Sequence, residues 1–547
     1  MARADGDAIS PKTFAPLENP IFRGIWIATL VSSVGSQMQT VAIGWLMATI
    51  STSDLMVALV EASSTLPTFI LSIFAGAIAD NFNRRRVMLG AQCLMILASA
   101  MLTALVALGS VDPWTVLGLS FLVGCGSALN TPAWQASVGD IVDKRDLPAA
   151  VTLLSAGFNT IRSIGPALGG IVVASFGPLT AFALNTFSRL VPLSAIWRCK
   201  WNVRSLPLPR ESMRTAIYDG ARFTAISSEI KAAIVRGTLF GLASISILAL
   251  LPLVVRDHLR AGPVTYGILM ASFGAGALLA GICNSWIRRI ASQERLIELA
   301  CIACAACCMS LALLPSVPLA AAALALGGAG WVTSWSGLGV SVQLASPRWI
   351  VGRTISIYYA FTYGGFSAGS WLWGSMAQTY SLTRALESSA GVSLLVAAIG
   401  FVLPVRECRE DLDPSEGFDA PSVALDLTPR SGPIVVKIEY RIAEKNAETF
   451  LDLMRVRRRV QSRAGARQWG LLRDLQEPSQ WTETFRTPTW ADYLRLNHRL
   501  SAADKELDNR ALQLHVGELP PRTTLTIERP TELAPRHSHP SPLLSRQ

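Results

Sequence analysis

The chain has little charge for its length. Of its 547 residues 16% are Asp, Glu, Lys or Arg and 51% are hydrophobic, where a soluble globular protein carries about 25% charged residues. The shortage is local: residues 1–404 hold 43 charged side chains and residues 405–547 hold another 43. This excludes one uniform soluble fold, a disordered chain and a disulfide-stapled secreted module. It calls for a large membrane domain followed by a soluble appendage. No phosphate loop, nucleotide fingerprint or metal-binding helix pair occurs, so direct ATP coupling, a cofactor and a bound metal are not expected. The net charge of +10 comes without a concentrated basic face or a supporting motif, so no nucleic-acid partner is expected either. The nine cysteines imply no disulfide framework. Cys301, Cys304, Cys307 and Cys308 cluster with no His or acid facing them, and read as small polarizable residues packed between helices. The first 20 residues are polar with no apolar core, so no cleavable signal peptide is expected.

What the chain does have is long apolar stretches. Crossing the roughly 30 Å hydrocarbon layer takes about 20 helical residues. Twelve stretches qualify: 21–48, 55–79, 87–108, 113–136, 150–174, 178–197, 232–256, 264–287, 294–314, 317–344, 354–378 and 385–404. Helices are the expected form, because the bilayer offers the backbone no hydrogen-bonding water. With both termini inside, the cytoplasmic segments up to residue 404 carry 20 Lys and Arg, and the outer loops carry three, Arg256, Arg260 and Arg384. That asymmetry sets the orientation. The basic balance then reads as cytoplasmic loops resting on anionic lipid.

The expected organisation is a cytoplasmic tail 1–20, a six-helix bundle 21–197, a basic cytoplasmic loop 198–231, a second six-helix bundle 232–404, a linker 405–431, a soluble α+β domain 432–530 and a disordered tail 531–547. The bundles echo each other: Gly76 and Arg84 close span 2, and Gly281 and Arg289 close span 8. Such duplication marks secondary transporters, whose substrate site lies near the midplane between repeats. In the soluble part, Ile434–Ile442, Arg467–Leu475, Gln480–Arg486 and a segment near 523–528 read as strands, and 443–463, 489–500 and 502–516 as helices. This β-α-β-β-α-β order is that of a ferredoxin-like domain. The cluster Arg455, Arg457, Arg458 and Arg459 reads as a solvated helix face, and His498 and His515 show no evident partner.

The loop after span 2 reads Gly76-Ala-Ile-Ala-Asp80-Asn-Phe-Asn-Arg84-Arg85-Arg86. It resembles the loop 2–3 signature of the major facilitator superfamily at Gly76, Asp80, Arg84 and Arg85, and departs from it at Asn81 and Asn83. In span 5, Gly165-Pro166-Ala-Leu-Gly169-Gly170 is similar to part of the antiporter motif of drug exporters, with Ile161 in place of its upstream glycine. Helix packing through Gly165, Pro166, Gly169 and Gly170 explains the same residues. The strings Leu59-Val-Glu61-Ala-Ser-Ser-Thr-Leu-Pro67, Asn130-Thr-Pro132-Ala-Trp134-Gln135, Arg348-Trp-Ile-Val-Gly352-Arg353-Thr-Ile-Ser-Ile-Tyr358 and Trp490-Ala-Asp-Tyr-Leu-Arg-Leu-Asn-His498-Arg resemble the transmembrane secretion effector branch, which includes the enterobactin exporter. The resemblance implies a bacterial inner-membrane exporter of a small organic compound, a siderophore, drug or secondary metabolite, working by alternating access with proton antiport. It also implies self-association through the sheet of the tail. A facilitator or importer of the same fold, or a transporter with an enzymatic or sensor tail, are the alternatives.

Polar groups inside spans are functional candidates by default. Gln37, Glu61, Asn130, Asn159, Arg162, Arg189, Trp331 and Trp335 are the candidates for substrate or coupling. Tyr358 and Tyr363 are weaker ones. A proton carrier must titrate near the working pH, and burial moves a carboxyl toward it; Glu61 is the clearest acid in a span that is neither at a cytoplasmic end nor in a loop. For the gate, Asp80 is expected at the positive N-terminal end of span 11, near Gly352 and Arg353. Arg84 is expected to reach Asp140 after span 4.

Overall fold

Prolines and small polar residues set where the helices begin. In this computed structural model the described residues are 14–143, 145–199, 213–347, 350–405 and 421–529. Asn19 accepts hydrogen bonds from the Ile21 and Phe22 amides and starts α1 (Pro20–Ile50). Ser53 caps α2 (Asp54–Asn81), Asn83 caps α3 (Arg84–Ala107) and Asp112 caps α4 (Pro113–Ile141). Each side-chain oxygen satisfies amides that the first helical turn leaves without partners. Gly177, at φ +80, lets α5 (Leu147–Phe176) turn directly into α6 (Pro178–Arg198).

The segment expected as a loop, 198–231, instead contains α7 (Met213–Ile226) and the first turn of α8 (Ser228–Ser244). The long helix begun by α8 is interrupted. It continues as α9 (Ser246–Ala249), α10 (Leu251–Leu253) and a π-turn at Val254–His258. Then come α11 (Pro263–Ile290), α12 (Gln293–Leu313), α13 (Val317–Leu344), α14 (Val351–Thr379) and α15 (Leu382–Ile399). Among the described residues nine helices are long and apolar enough to cross a membrane. The helices α1, α5 and α14, of 31, 30 and 29 residues, pack among them.

The packing repeats. In the first half α1 lies on α5 and α6, α4 on α2 and α3, and α3 on α6. In the second half α8 lies on α14 and α15, α13 on α11 and α12, and α12 on α15. The same pattern of neighbours, shifted along the chain, is what an internal duplication produces. The halves meet where α2 runs along α14 and α5 along α11.

These helices belong to one compact unit, and the described residues 421–529 belong to a second. The second unit is β1 (Ile434–Arg441), α16 (Ala447–Ala464), β2 (Arg467–Arg473), β3 (Gln480–Thr487), α17 (Trp490–His498), α18 (Ala502–Leu514) and β4 (Arg522–Ile527). The sheet is antiparallel in the order β2-β3-β1-β4, with Val436 opposite both Phe485 and Leu525. Alternate residues of β1 (Ile434, Val436, Tyr440) are buried; Val436 packs with Tyr493 and Leu496, and Tyr440 with Phe450 and Leu453, from the helices.

One arginine of the cluster expected to be solvated is not. Arg457 is buried, and its Nε donates to Glu483 at 2.7 Å; a second nitrogen pairs with Asp508. Glu483 is 0% exposed and also accepts from Tyr440 Oη at 3.1 Å and Trp469 Nε1 at 2.7 Å. Burial pushes the Tyr440 hydroxyl well up. The apolar face of α16 turns Arg457 inward with Phe450, Leu453 and Met454. His515 likewise has partners: its Nδ1 accepts from the Arg441 amide and its Nε2 meets the Leu519 carbonyl, both at 2.9 Å.

Candidate substrate and gating sites

The interior of the helical unit carries an aromatic stack from two helices of the second half. Trp331 and Trp335, four residues apart on α13, stack at 5.4 Å. From α14, Phe366 stacks on both, Tyr359 stacks on Trp335 at 5.5 Å and Tyr363 meets it edge-on at 5.5 Å. Phe273 of α11 meets Trp331 edge-on at 6.1 Å. Offset and edge-on pairs of this kind add about 0.5–1.5 kcal/mol each beyond burial.

Onto this stack comes a cation from the first half. Arg162, on α5, sets its guanidinium carbon 4.3 Å from the centre of the Trp331 ring. A cation on the face of a Trp ring is held by about 2 kcal/mol when desolvated. Arg162 also interacts electrostatically with Glu61 of α2 and with Tyr363. Glu61 also interacts electrostatically with Tyr266 of α11. Four candidates, Glu61, Arg162, Trp331 and Trp335, are thus brought to one place. Tyr266, Phe273, Tyr359 and Phe366 belong to it as well. The signal for the last two was in the sequence: Tyr359, Tyr363 and Phe366 fall on one helical face.

The other candidates lie elsewhere. Gln37 packs on Gly165, where an added Cβ would sit 2.6 Å from the Gln37 Cβ. Gly169 meets the backbone of Met38 in the same way, so both glycines seat α5 on α1. Gly170 faces outward from that contact. Its backbone touches Gly267 of α11, where an added Cβ would stand 2.6 Å from the Gly267 Cα. Pro166 lies inside α5, and its carbonyl borders the same crossing.

Arg189 is 5% exposed; it donates to Ser36 Oγ at 2.9 Å and to Met95 Sδ at 3.0 Å. One turn away Asn185 donates to Gln39 and, at 3.2 Å, to Ser99. Asn130 accepts from Gln92 at 3.4 Å. These form a polar seam inside the first half rather than part of the aromatic site. The side chain of Asn159 lies outside the described residues.

At the α2–α3 turn, Arg84 donates to Asp140 Oδ2 at 2.6 Å and to the Ala136 carbonyl at 3.0 Å. Both partners belong to α4, so this pair fastens the first half to itself. Arg85 donates to the Ile196 and Trp197 carbonyls at 3.0 and 2.5 Å and closes the end of α6. Gly76 and the side chain of Asp80 lie outside the described residues, and so does the contact expected between Asp80 and α14. Gly352 is exposed in the first turn of α14, and Arg353 packs on Gly220 of α7. Ser72 of α2 donates to the Ser356 carbonyl at 3.2 Å.

Buried ion chemistry that sequence reading did not connect lies in the second half. Arg236 of α8, 0% exposed, donates to Glu294 Oε2 of α12 at 2.6 Å, and Glu294 also accepts from the Val405 amide at 2.7 Å. The four clustered cysteines are buried, with Cys307 packed on Gly327. Among the described residues no group of three or more His, Cys, Asp or Glu side chains is placed to hold a metal.

Comparison with known proteins gives this geometry a context. The family model described as transmembrane secretion effector matches residues 11–531. The multidrug efflux pump Tap of Mycolicibacterium fortuitum is 24% identical over 389 residues, 70% of this chain and 95% of that protein. The staphyloferrin A transporter of Staphylococcus aureus is 24% identical over 45% of this chain and 62% of its own length. Among solved structures, a bacterial homolog of the human lysosomal transporter Spinster, inward-facing and unoccupied, aligns with TM-score 0.58 at 13% identity, covering 71% of this chain and 97% of that one. An auto-inhibited peptide transporter of the POT family aligns with TM-score 0.59 over 72% and 98%. The chain belongs to the transmembrane secretion effector family of the major facilitator superfamily, and it is a multi-pass membrane transporter of small molecules rather than an enzyme.

Proposed function

We propose that the chain is a twelve-span exporter of the bacterial inner membrane, with both termini cytoplasmic, that moves an amphipathic organic compound outward by alternating access in exchange for protons. The observation that carries this reading is the meeting of Glu61, Arg162 and Trp331, which draws on both halves of the helical unit. With Arg162 close, the charge on Glu61 is matched. With Arg162 drawn away from Glu61, a lone carboxylate in the span is costly and takes up a proton. Rocking of the halves changes that balance, because Arg162 and Trp331 sit on opposite sides of the interface. The stacked faces of Trp331, Trp335 and Tyr359 suit a flat or apolar substrate. The efflux-pump names of the relatives support the outward direction, and siderophores, drugs and secondary metabolites are the substrate classes they suggest. Asp80, at the α2–α3 turn, latches the cytoplasmic mouth against Gly352 and Arg353, with Arg84 and Asp140 holding that turn in place. The β2-β3-β1-β4 order supports a ferredoxin-like cytoplasmic domain that folds alone and associates with a second copy through its open sheet face.

The test begins by comparing the compounds retained by cells with and without the gene. The accumulating compound is then used in inside-out vesicles. Glu61→Gln is expected to abolish proton-gradient-driven uptake while leaving exchange of labelled for unlabelled compound. Gradient-driven uptake at the parent rate would exclude Glu61 as the carrier.

A further inference from the structure

The short turn between α1 and α2, Ser51–Ser53, belongs to the first half, but side chains of the second half finish both helix ends beside it. Arg256 sits in the π-turn at Val254–His258. Its Nη1 donates to the Ala48 carbonyl at 2.7 Å. That carbonyl lies in the last turn of α1, where backbone acceptors have no partner within the helix, and a cation is favoured at that end by the helix dipole. Arg256 Nη2 reaches Asp54 Oδ1, in the first turn of α2, at 3.2 Å. Asp257 holds the guanidinium from behind at 2.7 and 2.9 Å. On the other side of the turn Gln378, near the end of α14, accepts through Oε1 from Ser53 Oγ at 2.7 Å and from the Leu55 amide at 3.3 Å. It therefore supplies a second cap to α2.

The backbone around Arg256 is shaped for this. The helix from Ser228 is broken at Ile245 and Leu250, widens into the π-turn, and is followed by Arg260 at φ +46. Wide turns of this kind and left-handed non-glycine residues are costly, and they concentrate where a protein uses the geometry. Here the result is a guanidinium turned back across the interface between the halves. The same mouth is closed by close backbone approach: Gly170 on Gly267, Gly44 under the Tyr266 hydroxyl, and Gly374 on Ala58.

We propose that Arg256 and Gln378 form a clamp on the α1–α2 turn that keeps this mouth, opposite to the α2–α3 turn, shut, and that the mouth opens only when the second half gives up both caps. The clamp rests on the alternating-access reading above, but it names different residues at the opposite end. Opening removes the caps that the second half lends to α1 and α2 together, while Ser53 still caps α2, so the clamp sets the resting bias toward closure at this end. Arg256 does not touch substrate; it is a positioning residue.

The experiment uses the full-length chain with Tyr363→Cys as reporter, and labelling by a membrane-impermeant maleimide above that of the chain's native cysteines. Intact cells expose the α1–α2 face and inside-out vesicles the other. Labelling of the parent reporter from both faces is expected. Arg256→Ala is expected to raise labelling from the α1–α2 face about tenfold, equal to about 1.4 kcal/mol of bias. Gln378→Ala is expected to act in the same direction by less. Arg256→Lys, which keeps the charge but loses the fork, falls between Arg256→Ala and the parent. If the reporter is reached from both faces but neither Arg256→Ala nor Gln378→Ala changes the ratio, the clamp is wrong and alternating access stands. If the parent reporter is reached from one face only, both fail. Size-exclusion profiles identify a misfolded variant, and the two substitutions on separate helices keep the test decisive.

Discussion

Each half of the helical unit buries an arginine within its own bundle, and the two are handled differently. Arg236 in the second half is matched by the Glu294 carboxylate, itself tied to the Val405 amide. Arg189 in the first half rests on a hydroxyl and a thioether, and the Nε of both arginines has no partner among the described residues. A matched buried pair fixes geometry, because losing one member strands the other charge. A guanidinium on neutral acceptors is costly from the start. The second half has therefore put its buried charge to structural use, fastening α8, α12 and the chain beyond α15. The first half keeps a charge whose acceptors among the described residues are neutral.

Three substitutions sharpen or break this contrast. Glu294→Ala is expected to lower the stability of the detergent-purified protein most, by about 3–5 kcal/mol, the usual cost of stranding one member of a buried pair. Thermal unfolding followed by size exclusion reads it, and a change under about 1 kcal/mol would show that the pair is solvated. The double change Arg236→Met with Glu294→Leu removes both charges and is expected to recover most of that loss, since apolar replacement of a buried pair is often neutral. If the double variant is as unstable as Glu294→Ala, charge stranding is not the cause. Arg189→Met is expected to have the smallest effect on stability, within about 1 kcal/mol of the parent, while lowering transport of the compound identified in cells. A large loss of stability with normal transport would reverse the contrast and make Arg189 the structural arginine.

A single sequence shows some of this and hides the rest for reasons that can be named. The helices were legible because apolar runs of this length have few other uses, and the tail strands because Ile434–Arg441 and Gln480–Thr487 alternate. The helix α7 was hidden inside 198–231, where the density of charge dominates a short 3.6-residue period. Arg457 was misread for a related reason: four arginines in a row of five look like a wetted face, yet a helix turns about 100° per residue and one of them must face another way. Glu61, Arg162, Trp331 and Trp335 were legible as candidates because polarity and large aromatic rings stand out in a span. Their convergence was not, since it depends on how α2, α5 and α13 cross. The Arg236–Glu294 pair joins residues 58 apart, and nothing in either local string points to the other. The pairing of Arg84 with Asp140 followed from motif spacing, but its confinement to one half is a fact of packing.

The strand order of the second unit also has a consequence in time. β1 is an inner strand, flanked by β3 and by β4, the last strand formed. Until Ile527 has been synthesised, one edge of β1 is open along six residue pairs from Ile434 to Glu439. An open inner edge invites wrong partners. The sheet thus closes only after every helix from α1 to α15 has been synthesised. A chain stopped shortly before residue 522 would carry α1 to α15 together with an unsealed edge on β1.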